Sequence, residues 1–356
     1  RGSQGGRFII DGMAESLSVE RRLEAYLKVA GRASLPGWRS GLPFDLELVS
    51  ESHRNWNFMV TQGFRSWLVR VKKASLRGDR SGAYYEYRVL RLISGLDSSP
   101  RVFYVDTSKE KLDADFLTLE YVPGRPFEPE RDSVKVGTLF GRLHSLEGGD
   151  AGAFLEEDAA SLVDALDYAE KRLSASPLLR RLDSSLKSYL VDLLAWATEE
   201  VKKNAYFEAD PYEVVLHRAG RPSDIVIQRA TEKAVLLDWE DSALGEPSRD
   251  LAFFLSPLVT YWDSGFVFSR REINEFFAAY RGALRDAHLA DTITDRVRLR
   301  EPFVNLSVLA WLISQALPDA IDQHETMDAE TLRRLADLLN LAFLRRVFDP
   351  YLEGRI

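Results

Sequence analysis

The chain has 356 residues, 45% of them hydrophobic and 29% charged, which suits a globular protein with room for two lobes and an ample core. A formal net charge of -8 argues against a general nucleic-acid binder, and no apolar run reaches the length of a membrane span. The absence of cysteine excludes disulfides, thiolate catalysis and cysteine-bound metal, which fits a cytoplasmic location.

Residues 1–12 read as a flexible or vector-derived leader, with Met13 as a native start. Apolar residues at helical spacing (Val19, Leu23, Tyr26, Leu27, Ala30) predict a helix over 18–30, capped by Ser18 and ended by Gly31. After a Pro- and Gly-rich connection, Phe58-Met59-Val60-Thr61 and Trp67-Leu68-Val69-Arg70-Val71 predict a hairpin turning at Gln62-Gly63. A helix follows over 82–92, then strands over 102–105 and 116–121, the latter stopping at Val122-Pro123-Gly124. Beyond that turn helical periodicity dominates, over 133–146, 160–173, 178–204, 271–284, 302–315 and 329–348. Short strands at 213–216, 225–227 and 234–237 interrupt it. The order is α+β: an N-terminal lobe of helix and antiparallel sheet over 13–122, and a helical C-terminal lobe over 123–356 that carries a loop region at 215–250.

Several short segments carry chemistry. Asp238 ends the apolar run Val235-Leu236-Leu237 and opens an acidic loop with Glu240 and Asp241, a position from which a carboxylate serves a hard cation. Arg70 lies in Leu68-Val69-Arg70-Val71, and Glu86 in Tyr85-Glu86-Tyr87-Arg88. With Leu119-Glu120-Tyr121-Val122-Pro123-Gly124, Leu143-His144 and Gly245-Glu246-Pro247-Ser248-Arg249-Asp250, the set resembles the aminoglycoside phosphotransferase and choline kinase family over about residues 50–255. The resemblance implies a two-lobed protein-kinase-like fold that uses ATP or another nucleotide with magnesium.

By that resemblance Arg70 holds nucleotide phosphates and Glu86 fixes Arg70. Asn57, in the glycine-free loop Ser52-His53-Arg54-Asn55-Trp56-Asn57, faces phosphate, and the backbone around Glu120 and Val122 receives the adenine edge. Asp238 and Asp224 take the metal, while His144 and Asp250 are structural. The family pattern of histidine, glycine, aspartate, four residues and asparagine is met here by His217, Arg218, Ala219, four residues and Asp224. Ala219 cannot accept a proton, and loss of a positioned base costs about 10²–10⁴-fold in rate. Asp224 can still bind a cation, Arg218 and Arg221 add positive charge that binds phosphate or neutralises Asp224, and His217 packs beneath the metal loop or substitutes as base. Three changes in one loop point to divergence rather than a single lesion.

The leading expectation is therefore a binding or regulatory protein that takes nucleotide and magnesium and is impaired in phosphoryl transfer. The alternatives are an active kinase for an amino sugar, choline-like or other small polar or cationic metabolite, with Glu240, Asp241 or a substrate group as base; nucleotidyl transfer; or a relic of the fold that binds none of these. Protein partners are not legible in the sequence.

Overall fold

The computed structural model describes residues 5–73, 82–146, 154–158, 161–318 and 329–354, with side chains from Ser16 onward. In chain order these form α1 (Gly5–Ser34), β1 (Asp45–Glu51), β2 (Asn55–Gln62), β3 (Arg65–Lys72), α2 (Ala83–Leu92), β4 (Val102–Asp106), β5 (Phe116–Glu120) and β6 (Gly124–Pro126). Next come α3 (Pro129–Leu143), β7 (Glu156–Glu157), α4 (Leu162–Ala175), α5 (Ser184–Glu200), α6 (Asn204–Ala209), β8 (Val214–Leu216), β9 (Ile225–Gln228), β10 (Ala234–Leu236) and β11 (Ala243–Gly245). The described chain ends in α7 (Ser248–Phe254), α8 (Pro257–Ser264), α9 (Arg270–Ala283), α10 (Ala287–Trp311), α11 (Ala329–Leu338) and α12 (Leu341–Leu352). Two compact units result, Arg1–Arg125 with Val226–Asp241, and Pro126–Ile225 with Ser242–Ile356.

The first unit is built on an antiparallel sheet of order β1-β2-β3-β5-β4. Side chains alternate across it. Trp56, Phe58, Val60, Trp67, Val69 and Val71 enter a core shared with Val19, Leu23 and Leu27 of α1. The opposite face of the β2–β3 hairpin therefore carries Asn55, Asn57, Arg70 and Lys72, and the register pairs Asn55 with Lys72 and Asn57 with Arg70. Helix α1 runs through both expected ends. Gly31 lies inside it because a Cβ there would meet the Trp38 ring at 2.7 Å, so close packing, not termination, calls for glycine. Strand β1 was not predicted, although Phe44, Leu46 and Leu48 alternate with Asp45 and Glu47. Residues 55–57 are strand rather than loop, which shortens the expected phosphate-covering loop to the turn at 52–54.

The second unit is mostly helical. Helices α3 and α9 cross closely at Gly137 and Gly141, where an added Cβ would lie 2.3 Å from the Phe276 carbonyl oxygen and 2.5 Å from that of Tyr280. Strand β8 pairs antiparallel with β11, which pairs parallel with β7, and this small sheet holds the 217–224 loop at the end of β8. The expected helix over 178–204 is divided, because Asp183 caps α5 by accepting from Leu186 N–H and the α-helix stops at Glu200. Pro302 does not start a helix but lies inside α10, and the stripe over 329–348 is two helices separated at Asn340, which caps α12. No described helix is long and apolar enough to cross a membrane.

Candidate active site

In the first unit the polar face of the hairpin meets α2 and the turn after β10. Arg70 is buried and its guanidinium is held at two of its three nitrogens: Nη1 donates to Glu86 Oε1 at 2.5 Å and to Asp238 Oδ1 at 2.7 Å, while Nε donates to Asn57 Oδ1 at 2.9 Å. Glu86, in the first turn of α2, offers its second oxygen to Lys72 Nζ at 2.9 Å. Lys72 in turn donates to Glu240 Oε2 at 2.6 Å, and Asn55 Nδ2 donates to the same oxygen at 3.1 Å. Arg54 continues the chain to Asp241 Oδ1 at 2.7 Å. Three cations and four carboxylates thus alternate along one face. Burial works against the charge on Arg70, but Glu86, Asp238 and Glu240 outweigh it and raise its pKa.

Asp238 has a left-handed backbone, φ 65°, which aspartate tolerates better than most residues. The buried Trp239 fixes this turn by donating from Nε1 to the Leu236 carbonyl at 2.7 Å. The side chain of Asp238 is one-third exposed, unlike the nearly enclosed Glu86 and Glu240. A partly solvated carboxylate in a fixed turn fits a hard cation that brings phosphate oxygens and water as its other ligands. Among the described residues no group of three or more His, Asp or Glu is placed to form an all-protein metal cage.

In the second unit the loop after β8 is fastened by Asp250, from the first turn of α7. Its Oδ2 accepts from His217 N–H at 2.7 Å and its Oδ1 from Arg218 N–H at 2.6 Å. His144, at the end of α3, bridges Asp250 at 3.4 Å and the Tyr280 hydroxyl at 2.8 Å. Burial pushes the Asp250 carboxyl up, but His144, His217 and the backbone N–H of His217 outweigh it and hold its pKa below the usual carboxylate range. His144 and Asp250 are structural, as the sequence suggested. His217 is 1% exposed and its backbone is one of the two strapped to Asp250.

Arg218 has φ 77°. A residue with a Cβ is strained there, which explains why glycine suits this place in the family pattern. Ala219 follows, half-buried and without a proton acceptor. Asp224 is engaged by Arg221: Oδ2 accepts from Arg221 N–H at 3.0 Å and Nε at 3.2 Å, and Oδ1 from Nη2 at 3.3 Å. Of the two roles expected for Arg221, neutralisation of Asp224 is the one seen.

The structure brings Arg70, Glu86, Asn57 and Asp238 into one hydrogen-bonded group. Asn57 reaches it from a strand, spending its amide oxygen on Arg70 and its nitrogen on Ser50 Oγ. The Glu120 carboxylate takes Arg101, and its backbone N–H donates to the Arg101 carbonyl at 2.8 Å. Val122 makes no backbone hydrogen bond among the described residues. Sequence reasoning missed Lys72, Asn55 and Arg54. The first two repeat Arg70 and Asn57 at strand period 2, and that spacing was the available signal.

The chain matches the model of the phosphotransferase enzyme family, APH, over residues 45–301. No curated protein matches it significantly. Among solved structures it is similar to a putative aminoglycoside phosphotransferase from Ralstonia eutropha, at 16% identity and TM-score 0.60, covering 90% of this chain and 96% of that one. It is also similar to choline kinase from Cryptosporidium parvum, at 14% identity and TM-score 0.58, covering 92% and 99%. A spectinomycin phosphotransferase in complex with ADP and spectinomycin aligns at 11% identity and TM-score 0.52, covering 83% and 92%. The shared fold is α+β and protein-kinase-like, with an antiparallel sheet followed by a mainly helical region. With its family model matched over well more than half its length, the chain belongs to the APH phosphotransferase enzyme family.

Proposed function

We propose that this protein binds ATP or a related nucleotide with magnesium and is impaired in phosphoryl transfer. The observation that carries this reading is Arg70 held jointly by Glu86 and Asp238, set against a well-formed 217–224 loop that presents Ala219 where a base belongs. Arg70 is fixed in place for phosphate oxygens, and Asp238 is the residue that would hold the metal, whose charge neutralises phosphate when bound. Asp224 would contribute only by giving up Arg221. Structural relatives in complex with ADP, AMP-PNP and GDP support nucleotide binding here without choosing the base.

The ion pairs weaken the substitute-base alternative. Glu240 is 6% exposed and tied to Lys72, and Asp241 is tied to Arg54.

Thermal unfolding with ATP and magnesium tests binding. Ligand at about 100 times its dissociation constant stabilises by about 2.7 kcal/mol, and Asp238→Ala is expected to remove most of the magnesium-dependent part. No shift at millimolar nucleotide defeats the reading. Robust wild-type turnover that depends on Asp238 would instead establish an active kinase.

A further inference from the structure

The segment Arg221-Pro222-Ser223-Asp224 of the second unit closes on itself. A residue before proline is driven to extended backbone, and Arg221 has φ -110° and ψ 163°. Pro222 then opens a short 3₁₀ turn whose last residue, Asp224, accepts from the Arg221 N–H at 3.0 Å. The same carboxylate takes the Arg221 side chain as a fork, Oδ2 from Nε at 3.2 Å and Oδ1 from Nη2 at 3.3 Å. Both oxygens of Asp224 are therefore bonded to the cation three residues earlier.

The guanidinium has further neighbours. Its Nη1 lies 3.9 Å from Asp263 Oδ1, and its centre lies 5.7 Å from the Trp262 ring centroid. Trp262 packs edge-on against Trp311 of α10, with ring centroids 5.0 Å apart, so the indole is fixed. Asp263, near the end of α8, fastens the turn: Oδ2 accepts from Ser223 N–H at 2.9 Å and Oδ1 from Ser223 Oγ at 2.7 Å. Arg221 thus stands in a prepared place, with a carboxylate fork, a second carboxylate and an indole around it.

A hard cation at Asp224 would have to share its oxygens with a guanidinium already bonded to both, and would be repelled by its charge. Asp238 differs, since Arg70 reaches it through one nitrogen and its side chain is 34% exposed against 12% for Asp224. The residue type points the same way. Where the resembled pattern has asparagine, aspartate adds one negative charge, and Arg221 supplies the positive charge that balances it. We infer that Arg221 is the resident cation of Asp224 and takes the place of the metal ion that the resemblance assigns there, so that any divalent ion is held without Asp224. This rests on the reading that the protein uses magnesium, and it leaves Asp238 as the carboxylate for that ion.

The test is titration of the full chain with manganese(II), alone and with ATP, with bound ion counted by EPR. Wild type, Asp224→Asn, Asp238→Asn, Arg221→Gln and the double variant of Arg221→Gln with Asp224→Asn are compared. Asparagine keeps an oxygen to cap the turn, and Arg221 is one-third exposed, so these variants are expected to fold. Against wild type, Asp224→Asn should change the manganese dissociation constant by less than about twofold, whereas Asp238→Asn should raise it about tenfold or more. Arg221→Gln should take up a further manganese ion that the double variant lacks. Weakening by Asp224→Asn beyond that limit, or no Asp224-dependent gain in Arg221→Gln, overturns the inference. Either result with the ATP and Asp238-dependent responses intact removes this inference alone. An Asp224-dependent gain in Arg221→Gln, with no wild-type response to ATP or to Asp238→Asn, upholds it and removes the nucleotide–magnesium reading.

Discussion

Glu86 serves two buried cations at once, Arg70 through one oxygen and Lys72 through the other. Removing one partner of a buried ion pair leaves an uncompensated charge and costs about 3–5 kcal/mol. Glu86→Gln should therefore lower stability in urea by about that amount, whereas Glu120→Gln, which touches only the exposed Arg101, should change it by no more than about 1 kcal/mol. At Arg218 the sign reverses. Relief of a positive φ by Arg218→Gly should raise stability by about 1 kcal/mol, measured by the same denaturation. Asp250 sets a pH dependence. Its folded pKa lies below the ordinary value, so its contribution is present at neutral pH, begins to fade as pH falls through about 4, and is lost as pH passes through the lower folded value. Asp250→Asn should flatten that acid limb, as followed by unfolding between neutral pH and acid.

The β2–β3 hairpin shows how one element divides structure from chemistry. Its apolar positions were legible because Phe58, Val60, Val69 and Val71 stand at period 2, and all four are buried. Its polar face was read only at Asn57 and Arg70. Lys72 and Asn55 share that face, but only the positions of Glu86 and Glu240 give them a role. Helices α3 and α9 make the converse point. Glycine lowers helix propensity, yet at Gly137 and Gly141 backbone carbonyls of α9 stand where side chains would be. Gly137→Ala should destabilise by about 1–3 kcal/mol through overpacking, without touching the loop residues directly. Thermal unfolding of that variant checks it, and a neutral effect would mean that the helices separate easily.

For the molecule as a whole, the reading turns on turnover. If Ala219 is the lesion, Ala219→Asp should raise nucleotide turnover by about 10²–10⁴-fold over wild type, seen as released ADP. Family membership does not predict this outcome, because related folds host many sites.

The kinase-like order of elements and the membership of Asp238 in a strand-end turn were legible in the sequence alone, because hydrophobic period and local turn chemistry act between near neighbours in the chain. So was the alanine at 219, which is a matter of residue identity. Only the tertiary structure decided which charges are already spent. Arg70 lies 16 residues from Glu86 and 168 from Asp238, and the pairing of Arg221 with Asp224 rests on side-chain placement. The unequal fates of Arg218, Arg221 and Arg296 likewise follow from burial and from which carboxylate folding brings within reach, a long-range outcome that no local pattern encodes.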